Sequence, residues 1–128
     1  PPEAEVGSTW QLWKSELIEI FLVGPNGHYL EAEFGPYGHY LLLQLDGPRS
    51  ILERDLSADY QAKITGDRWQ GRARIDAILL PERIGRLNLF AIHGAEPDRR
   101  YCAWSPLPGE QPDYHQPEYF PYYIEHAS

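Results

Sequence analysis

The chain has 128 residues, 19 of them acidic and 11 basic, which gives a formal net charge of −8 at neutral pH. This length suits one domain with its own core and is too short for two ordinary domains. The excess negative charge repels phosphate groups and argues against nucleic acid or an anionic membrane as the main partner. Cys102 is the only cysteine, so no internal disulfide can form and a reducing, cytoplasmic location is expected. No apolar run approaches the roughly 20 residues that span a bilayer.

Three β-strands are predicted in the first third of the chain, over residues 15–23, 29–34 and 39–45. Their apolar residues alternate or form continuous runs, and glycine-containing turns separate them. Short strands continue after Asp46-Gly47-Pro48. In chain order, the further predicted elements are an edge strand (51–56), a hairpin (60–65 and 69–75), a helical turn within 77–84 and a strand at 87–93.

The C-terminal segment, residues 97–128, has a different composition and is called the strap below. Its six prolines argue against regular strand pairing, whereas its many aromatic residues argue against a disordered tail. We therefore expect an extended strap that packs on the rest of the domain. The aromatic residues of the strap are Tyr101, Trp104, Tyr114, Tyr119, Phe120, Tyr122 and Tyr123.

Many short strands at hairpin spacing, with almost no helical periodicity, predict an all-β fold. We expect residues 1–128 to form one antiparallel β-sandwich of jelly-roll type, with the strap on its surface. The chain has no methionine and begins Pro1-Pro2, so we also expect N-terminal strands of the sandwich to be missing.

Glu19 is the most unusual residue of the predicted strands. Alternate side chains of a strand share a face, so Glu19 lies on one apolar surface with Leu17, Phe21 and Val23. A carboxylate in such a place needs a partner or a ligand. Glu31 and Glu33 also share one strand face, but the alternation around them predicts that this face is open to solvent.

Five segments in order, LWKSELIEIFLV, GHYLEAEFGPYGHYLLLQL, RWQGRARID, LNLFAIHG and PDYHQPEYF, resemble the uncharacterised family typified by human chromosome four open reading frame thirty-three. The resemblance covers nearly the whole chain, from Trp13 to Phe120. Members of that family are similar to carbohydrate-binding modules of family nine and to DOMON-type domains, which bind sugar or haem. The resemblance implies a carbohydrate-binding-module-like sandwich and further N-terminal sequence.

The resemblance also implies a ligand site. Sugar-binding relatives use an aromatic platform, an acidic residue on the following strand and an amide from a late strand, which correspond here to Trp13, Glu19 and Asn88. Such groups suit a sugar, because indole stacks on its C–H faces while carboxylate and amide bind its hydroxyls. The relatives enclose the sugar with a second aromatic residue, and Ala91 stands at that position here. The structural alternative is that Trp13 packs in the core, an arginine satisfies Glu19, and Asn88 bonds at a strand edge.

The sequence predicts no catalytic residue, metal ligand or cofactor. The histidines lack a ligand spacing such as HxH or HExxH, although the strap could bring His93 and His115 together. A haem site would need an axial methionine or histidine, and methionine is absent. Glu31 and Glu33 are two apart on one strand, without the cleft that a glycosidase needs.

Two functions remain open. The first is a noncatalytic recognition domain that binds a saccharide through Trp13, Glu19 and Asn88, in a groove beside Trp13. The second is a structural or protein-interaction subunit, whose partner binds a contiguous exposed aromatic patch on the strap, formed by Tyr114, Tyr119, Phe120, Tyr122 and Tyr123. An enzyme is the least favoured class, because the sequence has no nucleophile elbow or phosphate loop.

Overall fold

The computed structural model describes residues 4–54, 56–94, 98–109 and 113–122, and it confirms the all-β prediction. These residues form nine strands and three single-turn 3-10 helices. The 3-10 helices are Leu12–Lys14, Ala77–Leu79 and Pro117–Tyr119. The strands are β1 (Gly7–Ser8), β2 (Leu17–Val23), β3 (His28–Phe34), β4 (His39–Asp46), β5 (Ile51–Glu53), β6 (Asp59–Thr65), β7 (Arg68–Arg74), β8 (Arg86–His93) and β9 (Arg100–Ala103).

Seven of the strands form one sheet, in the order β1, β4, β3, β2, β8, β9, with β5 also paired to β4. All neighbours in it are antiparallel except β1 and β4. The strands β6 and β7 form a separate antiparallel hairpin. Strands β2 and β3 therefore lie at the centre of the main sheet, with paired neighbours on both sides.

The two faces of the main sheet carry two separate apolar clusters. On the face that contains Phe21, here the Phe21 face, the central strands pack with Leu12 and with Phe120 of the strap. On the opposite face, Leu30 and Leu42 pack with residues of the hairpin and of the 77–79 turn, including Tyr60 and Leu79. Because both faces are covered, β3 is buried on both sides from Tyr29 to Phe34, as is typical of interior strands, whereas Ile18 of β2 is 39% exposed on the face opposite Phe21.

Tyr60 joins the hairpin to the main sheet. Its hydroxyl donates a 2.6 Å hydrogen bond to the carbonyl oxygen of Gly35, and its ring lies 4.9 Å from that of Phe34. The ring crosses Gly71 on the partner strand so closely that a Cβ atom there would lie 2.6 Å from the Tyr60 hydroxyl. Gly71 thus leaves the space that Tyr60 needs to reach the sheet.

The predicted strands, the hairpin and the helical turn are confirmed, but two expectations are wrong. Glu31 and Glu33 are not open to solvent: they are 4% and 0% exposed, because the strap side of the sheet is covered as well. The strap also begins with a regular strand, since β9 pairs with β8. The prolines do not prevent this, because residues 100–103 contain none. Within the described ranges, no helix is long and apolar enough to cross a membrane.

Candidate functional site

Three glutamates meet on the Phe21 face. Glu19 on β2 lies directly opposite Glu33 on β3. Glu31 lies two residues before Glu33 on the same strand. Their side chains point the same way because alternate residues share a face. One carboxylate oxygen from each lies within 4.8 Å of one from each of the others. The antiparallel register of β2 and β3 thus creates a compact acidic cluster, which we call the glutamate cluster.

Burial makes this cluster electrostatically unusual. Desolvation raises the pKa of Glu19 to about 8, although the positive charge of Arg99 opposes the shift. The pKa of Glu31 is raised well above its usual range by burial and then by the charge of Glu19. The pKa of Glu33 is raised by burial and by the charges of Glu31 and Glu19. Without a bound cation, the cluster therefore favours protonated carboxyl groups at neutral pH.

Glu33 lies deepest in the cluster. Its side chain is fully buried, and its carboxylate oxygens meet no N–H or hydroxyl donor within the part of the chain that the structure describes. The group with which Glu33 can share a proton is the carboxyl group of Glu31. Buried polar groups in folded proteins nearly always have a partner, so an ionised Glu33 would be costly to bury without a proton or a cation.

A cavity of about 510 Å³ opens above the cluster. Glu19 and Glu31 contribute to its wall, while Glu33 lies beneath them. This volume falls within the roughly 300–1,000 Å³ of small-molecule sites. The cavity is lined by Trp10, Trp13, Lys14, Glu19, Glu31, Leu43, Leu45, Arg49, Ile51, Ile92, Arg99, Tyr101, Asp113, Tyr114 and His115.

Arg99 fixes one wall of the cavity. Its Nη2 atom donates hydrogen bonds to the backbone oxygens of Trp13, at 2.6 Å, and Ser15, at 2.8 Å. These bonds hold the segment before β2 against the start of the strap. Its Nε atom is buried without a hydrogen-bond partner among the described residues. The guanidinium charge stabilises the ionised form of Glu19, but it is a single positive charge beside three carboxyl groups.

His115 of the strap forms another part of the cavity wall. Its Nδ1 atom lies 2.7 Å from the hydroxyl of Tyr29, and its Nε2 atom lies 3.8 Å from Oε2 of Glu31. Burial, followed by the charge of Arg49, lowers the pKa of His115 to about 4, so the ring is neutral at pH 7. His93 instead contacts Glu16, so the strap does not bring His93 and His115 together.

The structure brings together two of the three residues predicted to bind a ligand. Trp13 and Glu19 both line the cavity, and the Trp13 ring also makes an edge contact with Trp10 at 5.1 Å. Asn88 is fully buried elsewhere on the sheet and is not part of the cavity wall. Its side-chain amide donates to the backbone oxygen of Ser105 at 2.9 Å, and its Oδ1 atom accepts from the backbone N–H of Ser105 at 3.0 Å. A ligand-binding role for these three residues stays a prediction.

The aromatic residues of the strap face two ways. Tyr114 stacks on Phe90 with ring centroids 3.8 Å apart, and Phe120 is buried in the core of the Phe21 face. Tyr119 and Tyr122 are exposed, and Tyr122 is held by Arg86, whose guanidinium group lies over its ring. Tyr123 lies outside the described residues. The strap thus packs the rings of Tyr114 and Phe120 against the sheet.

Sequence reasoning missed Glu31 and His115 as neighbours of Glu19, and its structural alternative gave Glu19 an arginine partner without identifying Arg99. The signal for Glu31 was present, since strand alternation places Glu31 and Glu33 on one face. The local sequence pattern does not show that the strap covers the Phe21 face. Arg99 and His115 are separated from Glu19 by about 80 residues or more of chain, so only the folded strap brings them near.

No protein-family model matches the sequence, and no solved structure matches it. Among curated proteins, the chain is similar to the UPF0462 protein C4orf33 homolog of Mus musculus, with 35% identity over 127 residues. It is 33% identical to the UPF0462 protein C4orf33 of Homo sapiens over 127 residues, and 35% identical to the Danio rerio homolog over 116 residues. These alignments cover 93%, 93% and 85% of this chain, and 66%, 64% and 59% of the respective relatives. The chain thus spans slightly less than two thirds of the length of these relatives, and its similarity to them supports the UPF0462 family typified by human C4orf33 as its family.

Proposed function

We propose that this chain is a noncatalytic recognition domain that binds a saccharide, or a similar polyol, in the cavity on the Phe21 face. The observation that carries the proposal is that Trp13 and Glu19 line the same cavity of about 510 Å³. The proposal includes the jelly-roll-like sandwich of carbohydrate-binding modules, in which the cavity would occupy one sheet face.

The chemistry of the wall suits hydroxyl groups. A protonated carboxyl group both donates and accepts hydrogen bonds, as a sugar hydroxyl does. The raised pKa values of Glu19 and Glu31 favour this form at neutral pH. Trp13 and Tyr114 add aromatic surface on which the C–H face of a pyranose could pack. Tyr114 could supply the second aromatic wall for which the relatives use the position of Ala91.

The cavity supports recognition better than the strap supports a protein interface. Phe120 is in the core and Tyr114 stacks on Phe90, so these two rings are not offered to a partner. Among the described rings of the patch predicted on the strap, Tyr119 and Tyr122 remain exposed. A recognition role therefore has the more direct support.

The test is titration of the folded protein with a panel of mono- and oligosaccharides. Intrinsic tryptophan fluorescence would report binding for the wild type and for Glu19→Leu, which removes the hydrogen-bonding carboxyl group and keeps the Trp13 reporter. Ligand-observed NMR would report binding for Trp13→Leu, which removes the aromatic platform and keeps apolar bulk against the core. The matched control is Trp104→Phe, because Trp104 is 63% exposed and lies outside the cavity wall.

We expect saturable binding that weakens by about tenfold or more in Glu19→Leu and Trp13→Leu and is unchanged in Trp104→Phe. Absence of binding by the folded wild type at millimolar sugar would overturn the proposal. Equal weakening in all three variants would also contradict it, because the effect would then not arise in the cavity.

A further inference from the structure

We infer that Glu19, Glu31 and Glu33 bind a hard divalent cation of calcium size at the base of the cavity. Two separate observations point to this site. The first is the convergence of one oxygen from each carboxylate to within 4.8 Å of the others. The second is that Glu33, which is fully buried in the cluster, meets no N–H or hydroxyl donor among the described residues and can share only a proton with the neighbouring carboxyl group of Glu31.

The spacing accommodates an ion of calcium size. Three atoms that are mutually within 4.8 Å all lie within about 2.8 Å of one central point. Calcium–oxygen bonds are about 2.3–2.6 Å long, so the three oxygens can reach a common ion with small side-chain rotations. Calcium also tolerates irregular geometry, whereas magnesium requires about 2.0–2.1 Å and a near-ideal octahedron, which favours calcium for three carboxylates fixed on two strands. The ligands are all carboxylates, which favours a hard cation over a thiophilic one.

The surroundings leave room for the rest of the coordination shell. Glu19 and Glu31 are exposed to the cavity, so water molecules there could complete the six to eight oxygen ligands of calcium. Glu33 would bind from below, out of contact with solvent. His115, with Nε2 at 3.8 Å from Oε2 of Glu31, would lie beside this ligand and help to orient it.

Charge balance also favours a cation. Lys14, Arg49 and Arg99 lie in the cavity wall, but Arg49 is paired with Asp113 at 2.6 Å. Arg99 is the residue whose charge acts on Glu19, and it is held by backbone oxygens of Trp13 and Ser15. Three ionised carboxylates in a buried position would still exceed the positive charge nearby. A divalent ion would balance the excess and satisfy the oxygens of Glu33 at the same time.

The inference rests on the carboxylates alone and does not depend on saccharide binding. It is tested on protein treated with EDTA and exchanged into metal-free buffer. Terbium, a luminescent calcium analogue, is titrated with excitation of tryptophan, because Trp10 and Trp13 lie in the same cavity and can sensitise a bound ion. Calorimetry with calcium and with magnesium measures affinity and stoichiometry directly.

The variants are Glu33→Gln and, in case that protein folds poorly, Glu31→Gln. The control is Glu53→Gln, which makes the same change at an exposed glutamate on β5. We expect one ion per chain, calcium bound more than tenfold more tightly than magnesium, and a loss of affinity of about tenfold or more in either cluster variant. Glu53→Gln should bind as the wild type does.

Two results would overturn the inference. One is the absence of both calcium binding and sensitised terbium emission at millimolar ion, which would mean that protons alone neutralise the cluster. The other is unchanged affinity in both Glu33→Gln and Glu31→Gln, which would assign any binding to surface carboxylates. Sugar binding can fail while the ion binds, so the two proposals are separable.

Discussion

Glu19 on β2 and Glu33 on β3 are a directly opposed cross-strand pair, and both are buried on the Phe21 face of the sheet. Like charges in this position destabilise a sheet. The folded protein can keep the pair only if protons or a cation neutralise it. This requirement links the stability of the domain to pH and to metal ions.

In metal-free protein, the free energy of unfolding should fall as the pH rises from 6.5 to 8. The pKa of Glu19 is higher in the folded chain, about 8, than its ordinary value of 4.5. Its stabilising contribution is therefore fully present below pH 4.5 and is lost as the pH rises through about 8. His115 acts in the opposite sense, because its pKa is lowered from 6.5 to about 4. Its effect is largest between these two pH values and fades across the lower end of the window from 6.5 to 8.

The measurement is urea unfolding in EDTA at several pH values between 6.5 and 8. One such carboxyl group contributes a slope of at most about 1.4 kcal/mol per pH unit. Glu19→Gln should reduce the slope by up to that amount. A stability that is constant or rises over this interval would show that the cluster is not held protonated.

Phe120→Ala should destabilise the domain by about 3 kcal/mol, because it removes a large side chain from the core of the Phe21 face. The measurement is chemical denaturation. Tyr119→Ala, next to it and 55% exposed, is the matched control and should change stability by no more than about 0.5 kcal/mol. Equal effects of the two substitutions would mean that the strap does not pack through Phe120.

Asn88→Ala should lower the free energy of unfolding by about 2 kcal/mol. The substitution leaves the backbone N–H and carbonyl of Ser105 without the partners that the amide provides. Asn88 is not in the cavity wall, so a saccharide or metal ion should bind the folded variant with unchanged affinity. A stable variant that has lost ligand binding would instead support the role predicted for Asn88 from the sequence.

Gly71→Ala should cost about 1–3 kcal/mol, because its Cβ atom would be 2.6 Å from the Tyr60 hydroxyl. The test is a double-mutant cycle with Tyr60→Ala, measured by thermal or urea unfolding. Once the Tyr60 ring is absent, Gly71→Ala should have little effect, so the two changes should be strongly non-additive. Simple additivity would show that the ring does not occupy the space above Gly71.

The positions of the strands could be predicted from the sequence because they depend on local residue patterns. Alternating apolar residues and glycine turns predicted β2, β3, β4 and the β6–β7 hairpin, and the all-β class follows from them. The pattern of β2 also identified Glu19 as a carboxylate on an apolar face, and the structure confirms its burial. Likewise, the resemblance to the family of human C4orf33 could be read from the sequence, since its motifs run along nearly the whole chain, and the similar UPF0462 proteins support it.

The glutamate cluster and its cavity were decided by tertiary structure. Strand alternation places Glu31 and Glu33 on one face, but only the β2–β3 register puts Glu33 opposite Glu19. Only the packing of Phe120 and His115 on that face turns a solvent-exposed pattern into a buried one. Burial and register depend on contacts between distant parts of the chain, and a local sequence pattern does not encode such contacts.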